Sequence, residues 1–516
     1  MKKQVVSIIL ACGVFMGCLS GCGGKTSGNT GGGVANDGKV SDKPIELTIF
    51  QYEKKPFDND FPVFKKAAEM TNVSLKSVLS KSTSDKAQAF NLMMASGEIA
   101  DIVAFNSRED YFKYGKQGAF APLNELIEKY APNIKKYFDE NPDVRKFATA
   151  TDGNIYFIPF TPDGIVAQGW FVRKDWLDTL GLKEPTSVDE YYNVLKAFRN
   201  GDPNGNGKAD EIPYFNRNAS AGWEESVSSL YIFWDAYKSW HVRDGKIVYG
   251  PTEPQYKTAI ENISKWYSEK LIDPEIYTRG NKARDILLAD NTGGSTHDWF
   301  GSTAQLNDTL KDKNPGLNFV AMAPPSGVEG TRRAKVQADG WGISSQCKNL
   351  EEAIKYFDFW FTEDGRRLMN FGIEGEEYDM VDGKPKFRES VVKGEKPALD
   401  ILQGIGAQMF LGYHQDFEYE KQWLNPIALK GIEEYTEKNY PAEQFPVLNF
   451  TDEEEKEIKN IMGAIDTYRD EMTQKWVLGG ENLNDGFGKF NETIQQMKIE
   501  KATSIMQAAY DRDIKK

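Results

Sequence analysis

From residue 45 to residue 105 the chain alternates short apolar runs of period two with longer runs of helical period. Residues 44–50, Pro-Ile-Glu-Leu-Thr-Ile-Phe, alternate as a strand, and residues 61–71 carry helical spacing. Residues 73–79 read as a second strand, 86–95 as a helix ending at Ser96-Gly97, and 101–105 as a short apolar strand. Strands that alternate with helices indicate an α/β fold with a largely parallel sheet, and such sheets bind ligands beyond the carboxyl ends of their strands. The residues following the first and third strands are therefore candidates: Tyr52 and Glu53, then Asn106 and Arg108. Similar material recurs from Trp170 onward, with helices over 188–199, 256–269, 350–361 and 452–473. A chain of 516 residues exceeds a single core of ordinary size, so two domains or more are expected.

The first 44 residues read differently. Met1, Lys2 and Lys3 precede an apolar run over 5–15 and then Leu19-Ser20-Gly21-Cys22. The run is shorter than the roughly 20 apolar residues of a spanning helix and has the form of a signal peptide. Leu-Ser-Gly-Cys resembles the bacterial lipobox, which implies cleavage after residue 21 and lipidation (a palmitate-type acyl anchor) of Cys22. Residues 22–44 are then a Gly/Ser/Asn-rich tether outside the cell membrane. With Cys22 acylated, Cys347 alone remains and no disulfide forms.

Residues 202–211, Asp-Pro-Asn-Gly-Asn-Gly-Lys-Ala-Asp-Glu, place oxygen ligands at loop positions 1, 3, 5 and 9 with glycine at position 6, as an EF-hand calcium loop does. Pro213 stands where the loop's final glutamate belongs, and Glu211 is placed to supply that carboxylate. The expected ligands to a structural Ca²⁺ are Asp202, Asn204, Asn206, the carbonyl of Lys208, Asp210 and Glu211.

Catalytic signals are lacking: only His241, His297 and His414 are available, with no HExxH, GxSxG, Walker A or strand-linked GxGxxG pattern. The balance of 63 basic against 77 acidic side chains, a net charge of −14, excludes a basic nucleic-acid footprint.

Several segments in order carry a resemblance: Gly118-Ala119-Phe120-Ala121-Pro122-Leu123, Asp152-Gly153-Asn154-Ile155-Tyr156, the calcium loop, Leu271-Ile272-Asp273-Pro274-Glu275, Asp339-Gly340-Trp341-Gly342-Ile343 and Gly372-Ile373-Glu374-Gly375. Together they resemble extracellular solute-binding protein family 1, the oligosaccharide type serving bacterial ABC transporters, and within it the calcium-containing alginate-binding lipoproteins. Lys270 departs from the glycine usual there. The resemblance implies a two-lobe periplasmic-binding-protein-like (type II) fold with a hinge and an interlobe cleft. Lobe 1 is expected over 45–162 and 326–372, and lobe 2 over 163–325 and 373–516, with crossovers near 160–165, 323–326 and 371–375. It implies a non-enzymatic monomer that takes an oligosaccharide from solution and delivers it to an ABC permease and its ATPase, touching the membrane through the lipid alone. The alternative is a surface carbohydrate-active hydrolase or lyase.

A sugar ring needs a flat aromatic for its C–H face and carboxylate, amide or guanidinium groups for its hydroxyl rim. Trp299 leads the expected aromatics, followed by Trp341, Trp223 and Tyr378, while Trp176, Trp266 and Trp360 sit in helical patterns expected to be core. The resemblance itself implies Phe105, with Asn106 and Arg108, at the third-strand loop of the cleft, Trp299 where a sugar ring is stacked, and Asp163 at a hinge.

Overall fold

The computed structural model describes residues 39–514 apart from 106, 220–222, 225 and 395. Cys22, the signal segment and Asn106 lie outside the described residues. Residues 39–43 depart from the expected tether. The Val40 and Ser41 amides donate to the Thr71 carbonyl at 3.0 and 3.3 Å, and Asn72 Nδ2 donates to the Ser41 carbonyl at 2.8 Å. That segment caps a helix end, so the globule begins before residue 44.

Twelve strands build the fold's frame: β1 (Ile45–Gln51), β2 (Val73–Ser77), β3 (Ile102–Phe105), β4 (Ile158–Pro162), β5 (Gln168–Arg173), β6 (Ile212–Tyr214), β7 (Gly293–Trp299), β8 (Phe319–Met322), β9 (Gln337–Ile343), β10 (Tyr378–Val381), β11 (Lys384–Phe387) and β12 (His414–Gln415). Lobe 1 is a six-stranded sheet in the order β12-β4-β9-β3-β1-β2, and lobe 2 a four-stranded sheet in the order β8-β5-β7-β6. The expected α/β two-lobe architecture is present. Lobe 1 is less parallel than expected, because β9 runs antiparallel to both β3 and β4. It enters the sheet on the chain's return from lobe 2, and therefore in the opposite direction.

Strand alternation explains how this sheet is covered. Leu47 and Ile49 of β1, with Ile102 and Ala104 of β3, join one core cluster, while Phe50 and Val103 join the other. Both faces are buried, which is why these strands are nearly continuous in apolar residues. In β9 the same alternation sends Trp341 and Ile343 to the first face. Gly340 and Gly342 turn to the second, where a Cβ would lie 2.4 Å from the Ile158 carbonyl oxygen and 2.7 Å from that of Tyr156. The flanking helices follow their caps. Ser187 accepts from the Glu190 amide, and Thr451 with Glu454 forms a capping box ahead of the acidic first turn of the helix Asp452–Val477.

The lobe boundary expected at residue 373 is displaced. Tyr378, Phe387, Leu402, Leu411, Tyr413 and Tyr419 all belong to the lobe 1 core, and β12 adds itself to the outer edge of β4. The chain leaves lobe 1 only after Tyr419. Leu424, Ala428, Ile432 and Tyr435 then join the lobe 2 core, with Tyr435 Oη donating to the Met322 carbonyl at 2.8 Å. Hydrophobic period alone cannot tell which of two cores a segment joins, and residues 373–415 lacked any other signal. Cys347 is buried and free, and burial pushes its thiol up to about 11. Among the described residues no helix is long and apolar enough to cross a membrane.

Candidate functional site

Strand register fixes where a ligand site lies. β4 ends at Pro162 and β5 begins at Gln168, which pairs with Trp299 at the end of β7. β8 ends at Met322 and β9 begins at Gln337, opposite Phe160. Both connections therefore join the edge of lobe 1 formed by the carboxyl ends of β1, β3 and β4 to the edge of lobe 2 that carries Trp299.

On the lobe 1 edge, Glu53 is half-buried. Its carboxylate accepts from Gln403 Nε2 at 3.1 Å and from the Phe410 amide at 3.4 Å. Burial holds its carboxyl above the usual range, with Asp339 adding to the rise and Lys54 and Lys86 opposing it. Asp339, at the start of β9, is raised by burial against the pull of Lys86, and burial lowers the Lys86 ammonium. Phe105 has its ring stacked on Phe90 at 4.1 Å, while the Lys86 ammonium stands 4.9 Å from its centroid. Tyr52 donates to the Ser84 carbonyl at 3.4 Å. Beside Glu53, the Phe410 ring is 41% exposed and meets Phe160 edge-on at 5.4 Å.

On the lobe 2 edge, Trp299 is partly exposed at the last position of β7, where the strand turns into the helix Phe300–Ala304. The residue before it, Asp298, is buried. It accepts from Arg217 Nε at 2.7 Å and Arg284 Nη1 at 3.2 Å, and Arg284 also holds the Ser302 and Thr303 hydroxyls at 2.9 and 2.8 Å. A buried, hydrogen-bonded ion network thus fixes the backbone that presents the indole. At the crossover, Asp163 Oδ1 lies 2.7 Å from His414 Nε2, and its carbonyl accepts from Arg333 Nη1 at 3.1 Å. Arg333 in turn pairs with Glu420 at 2.9 Å.

Three expected positions are otherwise engaged. Trp341 is fully buried and stacked on Phe357 at 4.5 Å with the planes 2° apart, so strand parity makes it core rather than cleft. Tyr378, the first residue of β10, is buried against Phe371, 5.9 Å between ring centres. The Arg108 guanidinium lies between the Phe112 and Phe147 rings, donates to the Phe147 carbonyl at 2.7 Å and bonds to Asn449 of lobe 2. Lys116 with Asp452, and Lys146 with Asp513 at 3.8 Å, continue that bridge between lobes. Trp223 occupies a two-residue strand paired with Asn218–Ala219, apart from the four-stranded sheet. Lys86, Asp339 and Phe410 were not anticipated. Asp339 was signalled only by its place ahead of the Gly-Trp-Gly run, and Phe410 by nothing in its loop.

The loop 202–211 is shaped as its sequence requires. Asp202 Oδ1 and Oδ2 accept from the Asn206 and Gly207 amides at 3.1 and 3.0 Å, and Asn206 Oδ1 accepts from the Lys208 amide at 2.7 Å. Gly205 and Gly207 take φ of 69° and 73°, the left-handed turn that glycine permits. The informative group is Glu211. It is 3% exposed, both carboxylate oxygens lack a hydrogen-bond partner, and burial followed by the charges of Asp210 and Asp202 raises its carboxyl. A buried carboxylate among like charges requires a cation or a proton, and the hard-oxygen donor set fits Ca²⁺. Asp202, Asn204, Asn206, the Lys208 carbonyl, Asp210 and Glu211 are the residues that would hold it.

Comparison with known proteins places the chain. A family model described as bacterial extracellular solute-binding protein matches residues 45–367. The chain is similar to the alginate-binding protein AlgQ2, solved without calcium ion, at 38% identity and a TM-score of 0.76, covering 92% of this chain and 99% of that one. It is 26% identical over 457 residues to the fructooligosaccharide ABC transporter substrate-binding protein FusA of Streptococcus pneumoniae serotype 4, covering 83% of each. It is also 26% identical over 497 residues to the polygalacturonan/rhamnogalacturonan-binding protein YtcQ of Bacillus subtilis, covering 93% of this chain and 92% of that one. With the family match spanning more than half of its length and its two sheets joined edge to edge, the chain belongs to the bacterial extracellular solute-binding protein family.

Proposed function

We propose that this protein is the substrate-capturing subunit of an ABC importer, binding an oligosaccharide between its lobes and presenting it to a membrane permease driven by an ATPase. The observation that carries the reading is the pairing of edges: a partly exposed Trp299 on lobe 2 and a hydrogen-bonding wall of Glu53, Lys86 and Asp339 on lobe 1. An aromatic face and a polar rim are the two chemistries a sugar needs. Ligand bound to both walls stabilises the closed arrangement by its differential affinity for it. The named ligands of AlgQ2, FusA and YtcQ, all glycans, support the class. Titration calorimetry against a glycan panel is expected to find binding with no release of new reducing ends, and turnover of any bound glycan would overturn the reading. In this proposal Cys22 carries the lipid anchor; replacing it with alanine would release the protein from the cell membrane into the medium.

Calcium at the 202–211 loop is part of the same proposal, with a structural role: it neutralises Asp202, Asp210 and Glu211 and pins the segment entering β6. A site held at 100 times its Kd contributes about 2.7 kcal/mol. Chelation is therefore expected to lower the melting temperature by about 5–10 °C, since each kcal/mol moves a domain of this size by about 2–4 °C. Added Ca²⁺ should restore it and Mg²⁺ should not. A melting curve unmoved by chelator would remove calcium from the account.

A further inference from the structure

The charges around the cleft are matched on one wall and unmatched on the other. On lobe 2, the guanidinium groups of Arg217 and Arg284 meet the carboxylates of Asp298 and Asp285, two cations against two anions. At the hinge Arg333 pairs with Glu420, and near the mouth Lys54 pairs with Asp400 at 3.2 Å. On lobe 1, the pairing of β9 with β3 sets Asp339 beside the end of β3, where Lys86 stands over Phe105, and Asp339 bears on Glu53 as a like charge. Lys54, which also acts on Glu53, is already matched by Asp400, so Lys86 is left against two carboxylates. Glu53, Asp339 and Lys86 are partly withdrawn from water. Glu53 is fixed in position by Gln403 and the Phe410 amide, so it cannot swing away from an incoming group.

We propose that the lobe 1 wall selects uncharged sugar units, with Glu53 and Asp339 as the residues that discriminate against uronates. The proposal rests on the oligosaccharide reading above and deepens it. Ionised carboxylates only accept hydrogen bonds, so the partners that suit them are hydroxyl donors on a sugar rim. A neutral unit lying against the exposed Phe410 ring can offer such donors to both. A uronate in the same place adds a third anion to a pair of carboxylates that Lys86 alone offsets, Lys54 being taken up by Asp400, and juxtaposed like charges in a partly desolvated site oppose binding strongly. The chain's overall charge has little part in this, because charges beyond about 8–10 Å are screened at physiological salt.

The test uses the mature protein and pairs of glycans that share a backbone and differ only in charge: oligogalacturonides as free acid and as full methyl ester, and cello-oligosaccharides with and without C6 oxidation. Neutral fructo-, xylo- and manno-oligosaccharides complete the panel. Calorimetry is expected to show a neutral member binding, its affinity little changed by salt. Any bound backbone should lose at least about tenfold on gaining its carboxylates, about 1.4 kcal/mol. Asp339→Asn and Glu53→Gln should each narrow that gap by raising the affinity of the acidic member, and Asp339→Asn, outside the Gln403 and Phe410 contacts, serves should Glu53→Gln perturb the loop. Free acids binding as tightly as the neutral forms, or a gap unmoved in both variants, would overturn the selectivity and leave the oligosaccharide reading standing. No binding by any glycan would overturn both.

Discussion

Trp341→Ala is expected to destabilise the protein by about 3–5 kcal/mol, the range for emptying a large buried aromatic site. The indole is fully buried, parallel to Phe357 on one side and close to Trp360 and Tyr356, at 6.4 and 6.2 Å. Gly412 approaches it so closely that a Cβ there would lie 2.7 Å from the ring. With backbone on one side and stacked aromatics on the other, the cavity has little to collapse into. Denaturant unfolding monitored by near-ultraviolet circular dichroism would measure the loss. A change below about 1 kcal/mol, the scale of a surface substitution, would mean that Trp341 is not embedded as described. Molecules of the variant that remain folded should bind ligand normally.

Trp299→Ala is expected to do the reverse. The side chain stands at a strand end over a prebuilt ion network, so its removal should leave the melting temperature within about 2 °C. Oligosaccharide affinity should fall by about 2–3 kcal/mol, roughly 30- to 150-fold, the scale of a buried aromatic anchor. Trp299→Phe should recover part of the loss, since a smaller flat ring still covers the apolar face of a sugar. Calorimetry on the variants decides the matter, and an affinity within about threefold of the parent would take Trp299 out of the binding surface.

These two tryptophans mark the limit of what the sequence discloses. Each follows a polar motif and each falls near a strand end, yet Trp341 precedes Ile343 by two in a strand buried on both faces, whereas Trp299 closes its strand at a helix start. The α/β alternation, the first three strands, the capped helices and the tight turns of the 202–211 loop were legible because they depend on local period and turn chemistry. The placement of 373–415 in lobe 1 and the capture of Arg108 by Asn449 were not, because each depends on partners hundreds of residues away. Asp339 and Lys86 became visible only when antiparallel β9 came to rest beside β3.

That late-arriving strand also governs the order in which the molecule can assemble. β9 separates β3 from β4, and β12 pairs with the other side of β4, so β4 has no sheet neighbour from the first 162 residues. As the chain is made from its amino end, the earliest sheet consists of β1, β2 and β3 alone, with its β3 edge open until residue 343 is available. Contacts of such long sequence separation slow folding and prolong the exposure of unpaired edges. A fragment ending near residue 325 should therefore hold a nearly complete four-stranded sheet beside an unfinished one, and the first strands to be synthesised wait on some of the last.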